Sequence, residues 1–263
     1  MLLVVGSLLA GCAGGPGDAG AGAPRASSGS PSRAAPPAAG ATPSPSGAPG
    51  AARLTPDAAL VPKHPAAGRA LADAVVLSPG DWGRGYVAQS PAASAPGTWA
   101  VLDQGCRWER EPLPHGVLAS VSRYSRLPGS GGRGEVRVTA AATVHSAALG
   151  ADEQLSTTLE EVLRCPDQQP RTDERIKNLM SVGTPFGARE QDYADDSVLE
   201  IGQYVGGDGG VRPYRWMVAR LGTVVVAVSV TGGEEHGEQE LNQLGSEALA
   251  RMLERVQQRL RGK

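Results

Sequence analysis

The chain carries no surplus of positive charge: 25 Lys and Arg stand against 27 Asp and Glu, a formal net charge of -2. A nucleic-acid partner, which calls for a strongly basic domain, is therefore not expected. No apolar run reaches the roughly 20 residues of a membrane-spanning helix. The strongest stretch outside the N-terminus, Val224–Val230, is strand-sized. The patterns Gly-x-Ser-x-Gly, Gly-x-x-x-x-Gly-Lys-Ser/Thr and His-Glu-x-x-His are missing, so no motif signals an enzyme class. The four histidines, His64, His115, His145 and His236, are scattered. There is no Cys-x-x-Cys, which removes a thioredoxin-type redox site. Lysine is scarce and phenylalanine occurs once, while Ala, Gly, Pro and Arg are plentiful, the usage of a high-GC genome.

What is present begins at the N-terminus. Met1–Ala10 is apolar and too short to span a bilayer, and it ends in Leu9-Ala10-Gly11-Cys12. Small residues before a cysteine fit the signal-peptidase pocket, and the tetrapeptide resembles the lipobox of bacterial lipoproteins. Residues 1–11 accordingly read as a lipoprotein signal peptide and Cys12 as the lipidated residue. The run lacks the Lys or Arg that normally opens a signal; an ordinary secretory signal with an incidental cysteine is the alternative. The expected location is the outer face of the cytoplasmic membrane, reached through lipid alone, for which stable anchoring takes two or more acyl chains.

Residues 12–67 are dominated by Gly, Ala, Pro, Ser and Thr, without aromatics and without hydrophobic periodicity. Such a segment cannot bury enough surface to offset its ordering entropy and reads as a disordered tether. As a coil its ends would average roughly 40 Å apart, and fully extended it would reach roughly 160 Å.

With Cys12 assigned to lipid, Cys106 and Cys165 remain. In an oxidising compartment an even remainder reads as one disulfide. It would close a loop of about 60 residues, for roughly 4 kcal/mol in the chain-entropy picture. Two buried thiols or a metal pair are the alternatives, although no histidine stands at a zinc-like spacing.

The chain is 40% hydrophobic and 20% charged, as suits a soluble globular protein. Residues 68–263 are enough for one domain with a sizeable core. Ala70–Leu77 reads as a short helix closed by Ser78-Pro79-Gly80. Gly116–Tyr124 and Glu135–His145 read as an antiparallel pair of strands joined by a Gly-rich turn. In the second strand Val136, Val138, Ala140, Ala142 and Val144 share one face, and Arg137, Thr139 and Thr143 the other. Asp152–Arg164 reads as a helix with Leu155, Leu159, Val162 and Leu163 inward. Three further strands follow at Ser197–Val205, Val211–Arg220 and Thr223–Val230. Gln239–Leu260 carries an apolar stripe between acidic and arginine-rich ends, matching the helix dipole. The expected class is α+β, an antiparallel sheet with the two longer helices packed on one face.

The order of these elements resembles a known type. A short helix leads into Leu77-Ser78-Pro79-Gly80-Asp81-Trp82-Gly83, and a cysteine follows Asp103-Gln104-Gly105. Strands come next, then a helix ending in Arg164-Cys165. The chain closes with Arg220-Leu221-Gly222-Thr223-Val224-Val225-Val226 and a long amphipathic helix. Over residues 70–262 this resembles the extracellular sensor domain of mycobacterial PknH-type serine/threonine kinases and the related small lipoproteins of actinobacteria. The resemblance implies an extracytoplasmic domain with a disulfide-pinned cleft and a ligand-binding role. This chain has no kinase domain and lacks the cysteines for the second disulfide of that type, so the resemblance brings no signalling and no catalytic residue.

Other chemistry-bearing groups have plainer readings. Glu190, Asp192, Asp195, Asp196 and Glu200 do not match a calcium loop and read as a solvated turn. His145, at a strand end, reads as a satisfied surface histidine. Gly206–Gly210 reads as a turn. Arg251, Arg255 and Arg259 could meet anionic polymer or lipid headgroups, or serve the helix dipole. Trp82, Trp99, Trp108 and Trp216 could wall a pocket, with core packing the commoner fate. The expectation is a monomeric, non-enzymatic binding or sensor-like domain without metal or cofactor, taking a cell-wall, lipid or envelope-protein ligand. An accessory lipoprotein docking on a partner, or a cell-wall hydrolase, are the alternatives.

Overall fold

A computed structural model of the chain describes residues 56–261 apart from Glu234. The signal peptide, Cys12 and the tether up to residue 55 lie outside the described residues. Backbone order begins ahead of Gly68. Asp57 donates its N–H to the Leu260 carbonyl at 2.8 Å, and helix α1 spans Pro65–Val75. His64 caps it, its Nδ1 accepting the Ala67 N–H, and a proline stands in its first turn, where the missing N–H costs nothing. A one-turn helix, α2 (Pro79–Trp82), follows with a capping box between Ser78 and Asp81.

The core of the domain is an antiparallel sheet of eight strands: β1 (Val87–Ala93), β4 (Val117–Leu127), β5 (Val136–His145), β6 (Gln168–Arg171), β7 (Glu174–Gly183), β8 (Asp196–Val205), β9 (Val211–Leu221) and β10 (Val224–Gly232). In space they run β1-β4-β5-β10-β9-β8-β7-β6. The remaining two strands, β2 (Thr98–Leu102) and β3 (Trp108–Pro112), form a separate hairpin. The five strands expected from alternation are present, β4 and β5 pair antiparallel, and Gly222, with φ 60°, turns the chain between β9 and β10.

Helices α3 (Ala148–Arg164) and α4 (Glu238–Leu260) complete the fold. They do not share a face of the sheet, as the sequence led us to expect. Side chains alternate along a strand, and β10 shows where each parity goes. Val224, Val226, Val228 and Val230 pack with α1 and α4, while Val225 and Ala227 pack with Ala151 and Leu155 of α3. The α4 side is the main core: Leu241, Leu249, Met252, Leu253, Val256 and Leu260 are each at most 1% exposed. The α3 face also differs from expectation. Ala151, Leu155 and Val162 turn inward, but Leu159 stays 40% and Leu163 84% exposed.

Cys106 and Cys165 are joined, Cα to Cα 5.6 Å. Cys106 lies in the β2–β3 turn, with φ 60°, beside β6, the edge strand of the main sheet. The bond fastens the hairpin to the C-terminal end of α3.

Candidate functional site

The α3 side of the sheet is only partly covered. Where α3 lies, the outward residues of β10 are Val225 and Ala227; beyond the helix they become Ser229 and Thr231. The hairpin arches over this uncovered part. β2 approaches β4, and β3 approaches β6 at the opposite edge of the sheet. Between sheet, helix and hairpin lies a cleft of about 600 Å³, within the range of small-molecule sites.

Each wall has its own chemistry. The hairpin contributes Trp99, Val101, Trp108 and Arg110. The flank of α3 turned to the cleft is polar: Gln154, Thr157, Thr158 and Glu161. The floor carries hydroxyls from β4 and β5, among them Ser120 and Thr143, bonded to one another at 3.1 Å. Further along stand Tyr204, Tyr214 and Trp216. Helical periodicity accounts for the two flanks of α3, since Gln154, Thr158 and Glu161 fall at i, i+4 and i+7 beside the buried stripe.

The hairpin is held by more than its disulfide. Gln169 donates its N–H to the Cys106 carbonyl at 2.8 Å. Trp108 Nε1 donates to Gln168 Oε1 at 2.8 Å. Arg164 donates to the carbonyls of Asp103 and Leu102. Asp103 in turn accepts the backbone N–H and the guanidinium of Arg107, which hold its carboxyl below the usual range. The wall that carries two tryptophans is thus fixed at its turn end.

Four acids line the cleft, Glu109, Glu161, Glu174 and Glu200, and burial raises two of them. Glu200, on β8, is 2% exposed, and its Oε1 has no hydrogen-bond partner. Burial, with the Glu161 charge adding to it, pushes its carboxyl up to about 8. Glu161 on α3 rises to about 7 through burial, against the opposing pull of Arg164 and the Leu102 N–H. Thr231 Oγ1, also in the lining, is buried without a partner. An unpaired buried polar atom costs about 1–3 kcal/mol, so these are places where a ligand group would replace a missing bond.

Other sequence candidates fall elsewhere. Three of the four tryptophans, Trp99, Trp108 and Trp216, line the cleft, while Trp82 is buried in the α4-side core beside Tyr86. The acidic cluster does not converge. Glu190 accepts from Ser197, Asp192 from Arg189 and Asp195 from Arg220; Asp196 opens β8, and Glu200 lies alone on the cleft face. Among the described residues no group of three His, Cys, Asp or Glu is arranged to hold a metal. Gly206–Gly210 is a turn closed by Gly206 N–H to Gly210 O. Arg251 and Arg255 bind Asp81 and so dock α4 on α2. His145 is not a surface residue: it is 4% exposed, bonded to Gln154, and lowered by burial. His236, also buried, sits against Gly134 O and Glu240. His115 is exposed.

No protein-family model matches the chain, and no curated protein matches it. Among solved structures, the chain is similar to an uncharacterised protein of Mycobacterium smegmatis, the Rv0999 ortholog. The identity is 14%, covering 54% of this chain and 68% of that one, with a TM-score of 0.29. A likeness of this degree carries no argument about function.

Proposed function

We propose that this protein is a non-enzymatic binding or sensor-like domain, held at the outer face of the cytoplasmic membrane through Cys12 and acting as a monomer. Its ligand is a small molecule bound between the β2–β3 hairpin, α3 and the sheet. The observation that carries this reading is the cleft itself, about 600 Å³, with tryptophans on a disulfide-pinned wall and unpaired buried polar atoms on its lining. The reading agrees with the resemblance to PknH-type sensor domains, whose cleft is likewise disulfide-pinned, and that kinship is part of the proposal. The anchor, the tether and the oxidised cysteine pair make one consistent extracytoplasmic arrangement.

Two observations bear on the alternatives. Acid–base chemistry by two carboxyls depends on their being driven apart, one protonated and one ionised. Glu161 and Glu200 are pushed in the same direction, and none of the four histidines lines the cleft, so hydrolysis is the less supported reading. Docking on an envelope partner draws support from Met180, Val182 and Val211, all about half exposed.

The test is binding of a neutral solvatochromic dye, Nile red, to the purified full chain. Fluorescence should rise and saturate, and Thr139→Trp, which fills the cleft from β5, should abolish the response while the protein remains folded by circular dichroism. An unchanged response in the variant would remove the cleft as a binding site. For the anchor, Cys12→Ser expressed in an actinobacterial host should leave the membrane fraction; a variant that stays membrane-bound at mature size would refute lipid attachment at Cys12.

A further inference from the structure

The cleft's charges do not balance locally. Its arginines are already engaged: Arg137 with Glu135 and Glu174, Arg171 with Glu174, and Arg110 with the Thr98 hydroxyl and carbonyl. Glu109, at the hairpin rim, stands 3.5 Å from Arg107. Glu161 has Arg164 near it and takes the Leu102 N–H. Glu200 has no cation. It is the most deeply buried acid of the cleft, with one oxygen unbonded.

Its surroundings are aromatic. Glu200 is directly opposite Trp216 across the β8–β9 ladder, and Tyr214 lies diagonally on the same face, distances at which such side chains touch. Tyr204 follows four residues on, again on that face. Burial pushes Tyr204 and Tyr214 beyond the normal phenol range, so both stay neutral. Glu161 faces Glu200 from α3 closely enough for its charge to disfavour ionisation of Glu200. A buried acid beside π-systems is the environment that stabilises an organic cation, through Coulomb attraction and the negative faces of the rings. An anionic ligand would meet the carboxyls of Glu161 and Glu200, and a neutral one would leave Glu200 without a cation.

We propose that the cleft takes an organic cation, its ammonium group seated between the carboxyls of Glu161 and Glu200 and beside the rings of Tyr214 and Trp216. The apolar part of the ligand lies along Val225 and Ala227, toward α3. This rests on the ligand-binding reading above and narrows it to a chemical class. Ionisation is coupled to binding. Burial keeps Glu200 protonated to about pH 8 and Glu161 to about pH 7. A bound cation favours the ionised acids, so a proton leaves to buffer and affinity rises with pH across that interval.

The experiment compares choline with its neutral carbon isostere, 3,3-dimethylbutan-1-ol, as competitors of Nile red on the full chain at pH 6 and pH 8.5. At pH 8.5 choline should compete about tenfold better than the isostere, and its advantage should shrink about tenfold at pH 6. Calorimetry in two buffers of different ionisation enthalpy should report proton release. Glu200→Gln, and separately Glu161→Gln, should bring choline down to the isostere, each competition being read against that variant's own Nile red affinity. Equal competition by the two compounds at pH 8.5, or choline unaffected by both variants, overturns the cation assignment even though Nile red still binds. Failure of Nile red itself removes the ligand-binding reading, and the assignment with it.

Discussion

The two faces of the sheet are built from the same strands and used in opposite ways. On the α4 face, valines of β10 and β5 meet a helix whose apolar stripe is buried over its whole length. On the α3 face the same strands offer Val225 and Ala227 under the helix, then Ser229 and Thr231 where the helix ends its cover. One face stabilises the domain by continuous burial. The other accepts unpaired polar atoms and buried acids around an open volume, which are costs in stability. The division explains how one domain carries a destabilising site: the α4 side supplies the apolar burial that offsets it.

The contrast can be broken most strongly from the core side. Leu249→Ala should cost about 2–5 kcal/mol in chemical denaturation, with dye binding per folded molecule unchanged; a loss of binding at equal folding would mean the faces are coupled. Reducing the Cys106–Cys165 bond comes next. It should cost about 2–4 kcal/mol and, unlike the core mutation, should also weaken binding by freeing the tryptophan-bearing wall.

The third test concerns the acids. Glu200 has a folded pKa above its unfolded value, so the native state holds a proton that the unfolded chain gives up between about pH 4.5 and pH 8. Stability therefore falls as pH rises through that interval. Glu200→Gln should flatten the slope, raising stability at pH 8.5 by about 1–3 kcal/mol; an unchanged pH profile would show that Glu200 is not destabilised by burial. Ser78→Ala, which removes half of the capping box, should cost about 1 kcal/mol. Asp81 works in the opposite sense from Glu200. Burial opposes its charge, but Arg255 and Ser78 hold it at about 2, so this contribution is lost only as pH falls from about 4 toward 2. The smallest effect is expected at Leu163, which touches no core: Leu163→Ser should change stability by less than about 0.5 kcal/mol.

Alternation made β4, β5, β8 and β9 readable, and the apolar stripe made α4 readable. The placement of the helices was not. Val224–Val228 is buried on both faces, and a strand buried on both faces reads as an unbroken apolar run. Nothing in it says which side a helix takes. β1 escaped notice because it is an exposed edge strand containing Pro91. β7 escaped because its pairing is irregular around Asn178, at φ 52°, and its polar sequence shows no clean period. The hairpin β2–β3 is short and largely solvated. Of the site, the three cleft tryptophans and the cysteine pair were identifiable as types. Glu200 was grouped with Glu190–Asp196 by closeness along the chain, when strand parity was the better guide: it falls in step with Val198 and Tyr204, both inward residues of β8.

The disulfide also encloses a large part of the site between its two ends. Residues 106–165 contain β3, β4, β5 and α3, hence much of the floor, one wall and part of the roof of the cleft. The Pro128–Arg133 turn inside that interval is exposed, as a protease would need. A cut there would open a covalent ring rather than divide the molecule, leaving both fragments in one particle, still paired through the β4–β5 ladder. Such a nicked chain would keep its cleft.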